Sequence, residues 1–160
     1  MRTWARWFWI LILLWLGGVL QQAIASRYSV FGLRADFLLA LLGPMCLLTR
    51  RSKATVFGFI AGLIQGAISG ANLTHYIVSR CIAAFATASV ARSGLQMGNV
   101  LAGLICAGTT LIAQLLLLFL APPSDIMGTI GATIGTAVYN GVLAIPVYAI
   151  LRRFAEPQSA

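Results

Sequence analysis

Few side chains in this chain are equipped for acid–base or nucleophilic chemistry, and their spacing argues against it. The acids are Asp36, Asp125 and Glu156, far apart, with no paired-carboxylate motif. His75 is the single histidine, with no second His or Cys beside it to complete a metal site. Cys46, Cys81 and Cys106 are isolated inside apolar stretches, without the CxxC spacing of a zinc site or a disulfide framework. No nucleophile stands near a base, and neither a phosphate-binding loop nor a metal-binding helix is visible. The expectation is a protein that is not an enzyme and holds no cofactor. One charge is conspicuous. Arg80 interrupts an apolar run and would sit roughly 10 Å below the start of a helix beginning near Leu73, at 1.5 Å per residue. A charge at that depth snorkels, pairs or lines a wet cavity. Asp36, expected on the same outer side at the start of the second span, is its candidate partner in an intramembrane ion pair.

The elements that position these residues follow from composition. Of the 160 residues, 60% are hydrophobic and 9% charged, and the mean hydropathy is +0.93. Soluble domains carry about 25% charged residues, so soluble enzymes and soluble binding modules are excluded and a bilayer is required. A spanning helix takes about 20 mainly apolar residues. Six candidate spans result, 7–25, 36–49, 54–71, 73–91, 97–121 and 126–151, forming one all-α domain over residues 1–160. Arg2, Arg6 and the Ala23-Ile24-Ala25 pattern resemble a signal peptide, but five further spans favour an uncleaved first helix.

The net charge of +8 forms no stripe for nucleic acid. It reports orientation instead. With the N-terminus inside, eight basic residues fall on the cytoplasmic side, namely Arg2, Arg6, Arg50, Arg51, Lys53, Arg92, Arg152 and Arg153. Only Arg27 and Arg34 fall outside. This is the positive-inside bias of a protein with both termini in the cytoplasm. Arg50, Arg51, Lys53 and Arg92 become candidate cytoplasmic contacts for a partner or for anionic lipid. Loops this short hold nothing that could fold alone, so partners must meet the helices and turns.

Small residues mark where helices approach. Gly58, Gly62, Gly66 and Gly70 recur every four residues and share one helix face. Such a face packs within its own bundle, docks a partner helix or supports a homodimer. Ala84 with Ala88 and Gly131 with Gly135 are weaker versions. Thr129, Thr133, Thr136 and Asn140 offer the sixth span interhelical hydrogen bonds of about 0.6 kcal/mol each, with a polar small-molecule pocket as the lesser alternative. Gln65 and Gln114 are placed to face a partner helix or a substrate.

Residues 36–91 carry a family resemblance. Ala35-Asp36-Phe37-Leu38-Leu39, the basic turn Arg50-Arg51-Ser52-Lys53, and Gly58-Phe59-Ile60-Ala61-Gly62-Leu63-Ile64-Gln65-Gly66 together resemble the bacterial rod shape-determining protein MreD. Ala35 replaces the family's proline, and Gly66 stands where the family often has an acid. The resemblance implies a non-enzymatic, multi-pass scaffold of the bacterial inner membrane that acts in cell elongation. The implied partners are MreC, the actin-like MreB, and RodA with its class B penicillin-binding transpeptidase, which together direct peptidoglycan synthesis. It also implies a fold similar to the S component of energy-coupling-factor transporters, which makes a vitamin-binding S component the alternative. S components often dock through an Ala-x-x-x-Ala face on the first helix, whereas Leu13, Leu14, Trp15 and Leu16 are bulky here. The outer loops are poor in hydrogen-bonding residues, so a pocket with a few convergent polar groups is not evident in them.

Overall fold

The computed structural model describes residues 2–25, 36–70, 72–93 and 96–154, with no strand among them. Six helices follow in order: α1 (Arg2–Leu20, continuing as one π-helical turn over Gln21–Ala25), α2 (Phe37–Leu47), α3 (Arg51–Ser69), α4 (Leu73–Val90), α5 (Asn99–Leu120) and α6 (Ile126–Phe154). Four of them, α3 to α6, are long and apolar enough to cross a membrane. The apolar part of α1, Ile10–Ala23, and α2 are shorter. By length and composition this is a membrane protein.

The helix boundaries lie close to those expected from hydropathy. The main departures are at basic N-termini: α1 starts at Arg2 rather than Trp7, and α3 at Arg51 rather than Ala54. Arg and Lys are good helix formers, so helices run on past the apolar stretch into the charged residues that flank it. Arg27, Arg34, Ala35 and Glu156 lie outside the described residues.

The short α2 is the core. It touches every other helix, and nine of its residues, from Leu38 to Leu47, are buried. Its sequence, Phe-Leu-Leu-Ala-Leu-Leu-Gly-Pro-Met-Cys-Leu, is apolar on all sides, as a fully surrounded helix requires. The longer helices instead show apolar side chains outward. Phe119, Met127, Val100 and Leu104 are each at least 66% exposed, a surface suited to lipid.

Antiparallel hairpins α3–α4 and α5–α6 flank α2. In the first, a Cβ built on Gly58 would lie 2.5 Å from the Arg80 carbonyl oxygen, and one on Gly62 would lie 2.5 Å from Ile77 Cα. One on Gly66 would lie 3.0 Å from Leu73 Cα. Glycine is required here by backbone approach. In the second hairpin, a Cβ on Gly103 would lie 2.9 Å from the Gly141 carbonyl oxygen. The hairpins gather the basic residues at one end of the bundle. Arg50 caps α3, Arg51 and Lys53 occupy its first turn, Arg92 follows α4, and Arg152 and Arg153 close α6. All six are exposed.

Candidate functional site: a buried ion pair beneath a polar cavity

Because α2 begins inside the bundle, its first backbone N–H groups cannot rely on water, and unsatisfied ones are costly in an apolar interior. Side chains supply the acceptors. Asp36 is the N-cap, and its Oδ1 accepts from Leu39 N at 3.0 Å. Phe37 N donates to Gln21 Oε1 at 2.7 Å. Asp36 N donates to Asn140 Oδ1 at 3.2 Å. Asn140 in turn donates through Nδ2 to Thr110 Oγ1 at 3.3 Å. The backbone N–H of Asp36 thus joins the start of α2 to α6 and, through Asn140, to α5.

The second oxygen of Asp36 faces α4. Arg80 Nη2 donates to Asp36 Oδ2 at 2.7 Å, with the Arg80 side chain 3% exposed. The structure therefore brings together the two residues expected to pair, and Arg80 does not snorkel. A second polar contact lies deeper along α4, where the hydroxyls of Thr87 and Thr109 meet at 2.6 Å. The sequence pointed to hydrogen bonding on the sixth helix, and Asn140 supplies it. Thr87, Thr109 and Thr110 were missed, and their only signal was hydroxyls within apolar runs.

The small-residue candidates divide. Gly58, Gly62 and Gly66 are buried against α4, and Ala84 and Ala88 are fully buried on the facing side. These faces are occupied by the chain's own hairpin and are not open to a partner helix. Gly70 does not extend the groove. It ends α3 with φ 61°, exposed, in the left-handed conformation that favours glycine at a helix C-terminus. Gly131 is exposed with open space where a side chain would go, and Gly135 is half-buried.

Above the ion pair lies a cavity of about 340 Å³. Its floor is formed by Asp36, Arg80, Leu39 and Ala113, all buried. One wall is polar, with Gln65 from α3 and Tyr76 and Ser79 from α4. The other is α5, with Gln114, Leu117 and Leu118. Thr129 and Thr133 come from α6, and the exposed Ala121 marks the rim at the end opposite the basic residues. Gln65 and Gln114, singled out in sequence for a partner or a substrate, both line it. The sequence made a polar pocket the lesser reading of the sixth span, yet Thr129 and Thr133 both line the cavity. The outer loops gave no sign of it, because the polar lining comes from the helices themselves.

Two groups at this cavity are unsatisfied. Among the described residues, Arg80 Nη1 and Gln65 Oε1 are buried without a hydrogen-bond partner. Gln65 uses its other amide atom, donating from Nε2 to Ser69 Oγ at 3.1 Å. His75 Nδ1 is likewise unpartnered but does not line the cavity. Among the described residues no group of three His, Cys, Asp or Glu is placed to hold a metal. The arrangement can bind and orient a molecule. Comparison with known proteins finds no matching family model, no matching curated protein and no matching solved structure.

Proposed function

We propose that this chain is a non-enzymatic, six-pass scaffold of the bacterial inner membrane, similar to MreD, that acts in the cell-elongation complex. The observation that carries the reading is the position of Asp36. This residue, which anchors the family-like Asp-Phe-Leu-Leu segment, caps α2 and holds both Arg80 and Asn140. Among the residues behind the resemblance, Asp36, Gly58, Gly62 and Gly66 pack inside the bundle. On this reading both termini are cytoplasmic, and the exposed Arg50, Arg51, Lys53 and Arg92 meet MreB or anionic lipid. RodA and its transpeptidase are met through the membrane helices. With the α3 and α4 faces filled, the surface left for a spanning helix of MreC is the α6 face of Gly131 and Gly135, flanked by Ile134 and Val138, both more than half exposed.

A second reading, the S component of a vitamin transporter, is favoured by the cavity. Against it, the outward side chains described on α1 are bulky, with Trp15 65% exposed, while Gly17 and Gly18 turn inward onto Leu41 and Ile64. Depleting the protein in its host and imaging the cells, with and without added vitamins, separates the two. Rounding or swelling that vitamins do not cure is the result expected for the scaffold. Normal shape, with growth restored by vitamins, would select the S component.

A further inference from the structure

We infer that the cavity above Asp36 and Arg80 is a binding site for a hydroxylated phosphate ester, its phosphate oxygen accepting from Arg80 and its hydroxyl donating to Gln65. The inference needs neither functional reading, since a scaffold that holds a lipid and a transporter subunit that holds a solute would both use this space.

The argument starts from what is missing. A guanidinium presents five N–H donors in a fixed fork, and burying a donor unpaired is costly. Arg80 spends Nη2 on Asp36 but leaves Nη1 unpartnered at 3% side-chain exposure. Asp36 does not supply the missing acceptor: its oxygens bond Leu39 N and Arg80 Nη2, and neither is within hydrogen-bonding reach of Nη1. The cavity is the space from which an acceptor can come. Phosphate oxygens are favoured acceptors for Arg. Asp36 balances the charge of Arg80, so the site as a whole is close to neutral. That suits a singly charged diester or a small ester better than a free polyanion.

Gln65 adds the second requirement. One of its amide atoms bonds Ser69, and the other is left unpartnered beside the cavity. As placed, the free atom is the oxygen, which calls for a donor on the ligand. A hydroxyl answers this, and a quaternary ammonium cannot. Leu117 and Leu118 on the opposite wall supply apolar contact alongside. The volume of about 340 Å³ is at the small end for ligand pockets and holds a headgroup rather than a whole lipid. Phosphate with an adjacent hydroxyl has two sources here: the headgroup of a membrane lipid such as phosphatidylglycerol, or a free solute such as glycerol 3-phosphate.

The test uses the full chain in a mild maltoside detergent. Native mass spectrometry with equimolar phosphatidylglycerol and phosphatidylcholine reads lipid preference, and thermal unfolding with glycerol 3-phosphate reads the soluble source. Two variants leave the ion pair intact. Gln65→Leu removes the amide, whose one bond is to its own helix. Ala121→Trp crowds the exposed rim. The expected result for a lipid is a preference for phosphatidylglycerol that falls about three- to tenfold in Gln65→Leu, the worth of one hydrogen bond, and is lost in Ala121→Trp. For a solute, glycerol 3-phosphate raises the unfolding temperature of the unaltered protein and does so less in both variants. If neither probe is preferred, or if a preference survives both variants in protein that unfolds at the unaltered temperature, the inference is overturned.

Discussion

At the scale of single residues, the Asp36–Arg80 pair was legible because the chain is so poor in charge. With three acids in 160 residues, a cation deep in an apolar run has few candidates for a counter-ion, and Asp36, at the outer start of the second span, was on the same side of the membrane. What the pair stabilises is a separate question. Bringing two ions into an apolar interior costs nearly what their attraction returns, whereas removing one partner strands the other. Either single variant, Asp36→Asn or Arg80→Met, is therefore expected to destabilise the protein, by up to about 3–5 kcal/mol, read by unfolding of detergent-solubilised protein. The double variant Asp36→Asn with Arg80→Met should recover most of that loss, because Asn still caps α2 and no charge remains buried. If the two single variants were instead additive in the double, the 2.7 Å contact would carry no coupling. The open hydrogen-bonding capacity of Arg80 and Gln65 was not legible, because a missing partner is a property of the surroundings and not of the residue.

At the scale of elements, hydropathy located all six helices, since an apolar run must satisfy its backbone internally and helix is the local way to do so. The four-residue glycine spacing also identified a close-packing face. What the spacing could not say was which helix would fill it. That choice belongs to the hairpin: the short link between α3 and α4 keeps α4 at hand, so the groove closes within the chain before any partner arrives. Gly70 shows the limit of the pattern, since it continues the spacing yet serves as the turn after α3. Glycine substitutions should therefore divide by face. Gly62→Ala places a Cβ 2.5 Å from Ile77 Cα, forcing backbone apart, and should cost about 1–3 kcal/mol as overpacking does. Gly131→Leu, with open space around it, should leave the unfolding temperature unchanged. On the scaffold reading, it should still reduce co-purification of a spanning partner. Equal stability losses at both positions would mean that the α6 face is part of the fold rather than a free surface.

At the scale of the whole molecule, the cavity could not be read from sequence. Its lining comes from α2, α3, α4, α5 and α6, and no one segment is polar enough to announce it. The charge asymmetry, by contrast, is a whole-chain property that sequence displays directly, and the fold concentrates it at one end. The local energetics at that end make the asymmetry informative. Arg50, Arg51 and Lys53 occupy the N-terminus of α3, with no acid in the first turn, where the helix dipole favours negative charge. A sequence tuned for helix stability would place acids there. The basic turn is instead what the positive-inside rule asks for, and it sets the direction of the cavity as well. Single cysteines can read that direction. Ser93, just beyond α4 at the basic end, and Ser124, between α5 and α6 at the opposite end, are both exposed. Background is small, because Cys46 and Cys106 are buried and a Cys81→Ala change removes the third thiol. On the inner-membrane reading with both termini cytoplasmic, an impermeant maleimide added to intact spheroplasts should label Ser124→Cys and reach Ser93→Cys only after lysis. The reverse pattern would turn the molecule over and open the cavity to the cytoplasm, where soluble phosphate esters abound and the outer-leaflet lipid has no access. The labelling thus fixes which leaflet or solution can fill the space above Arg80.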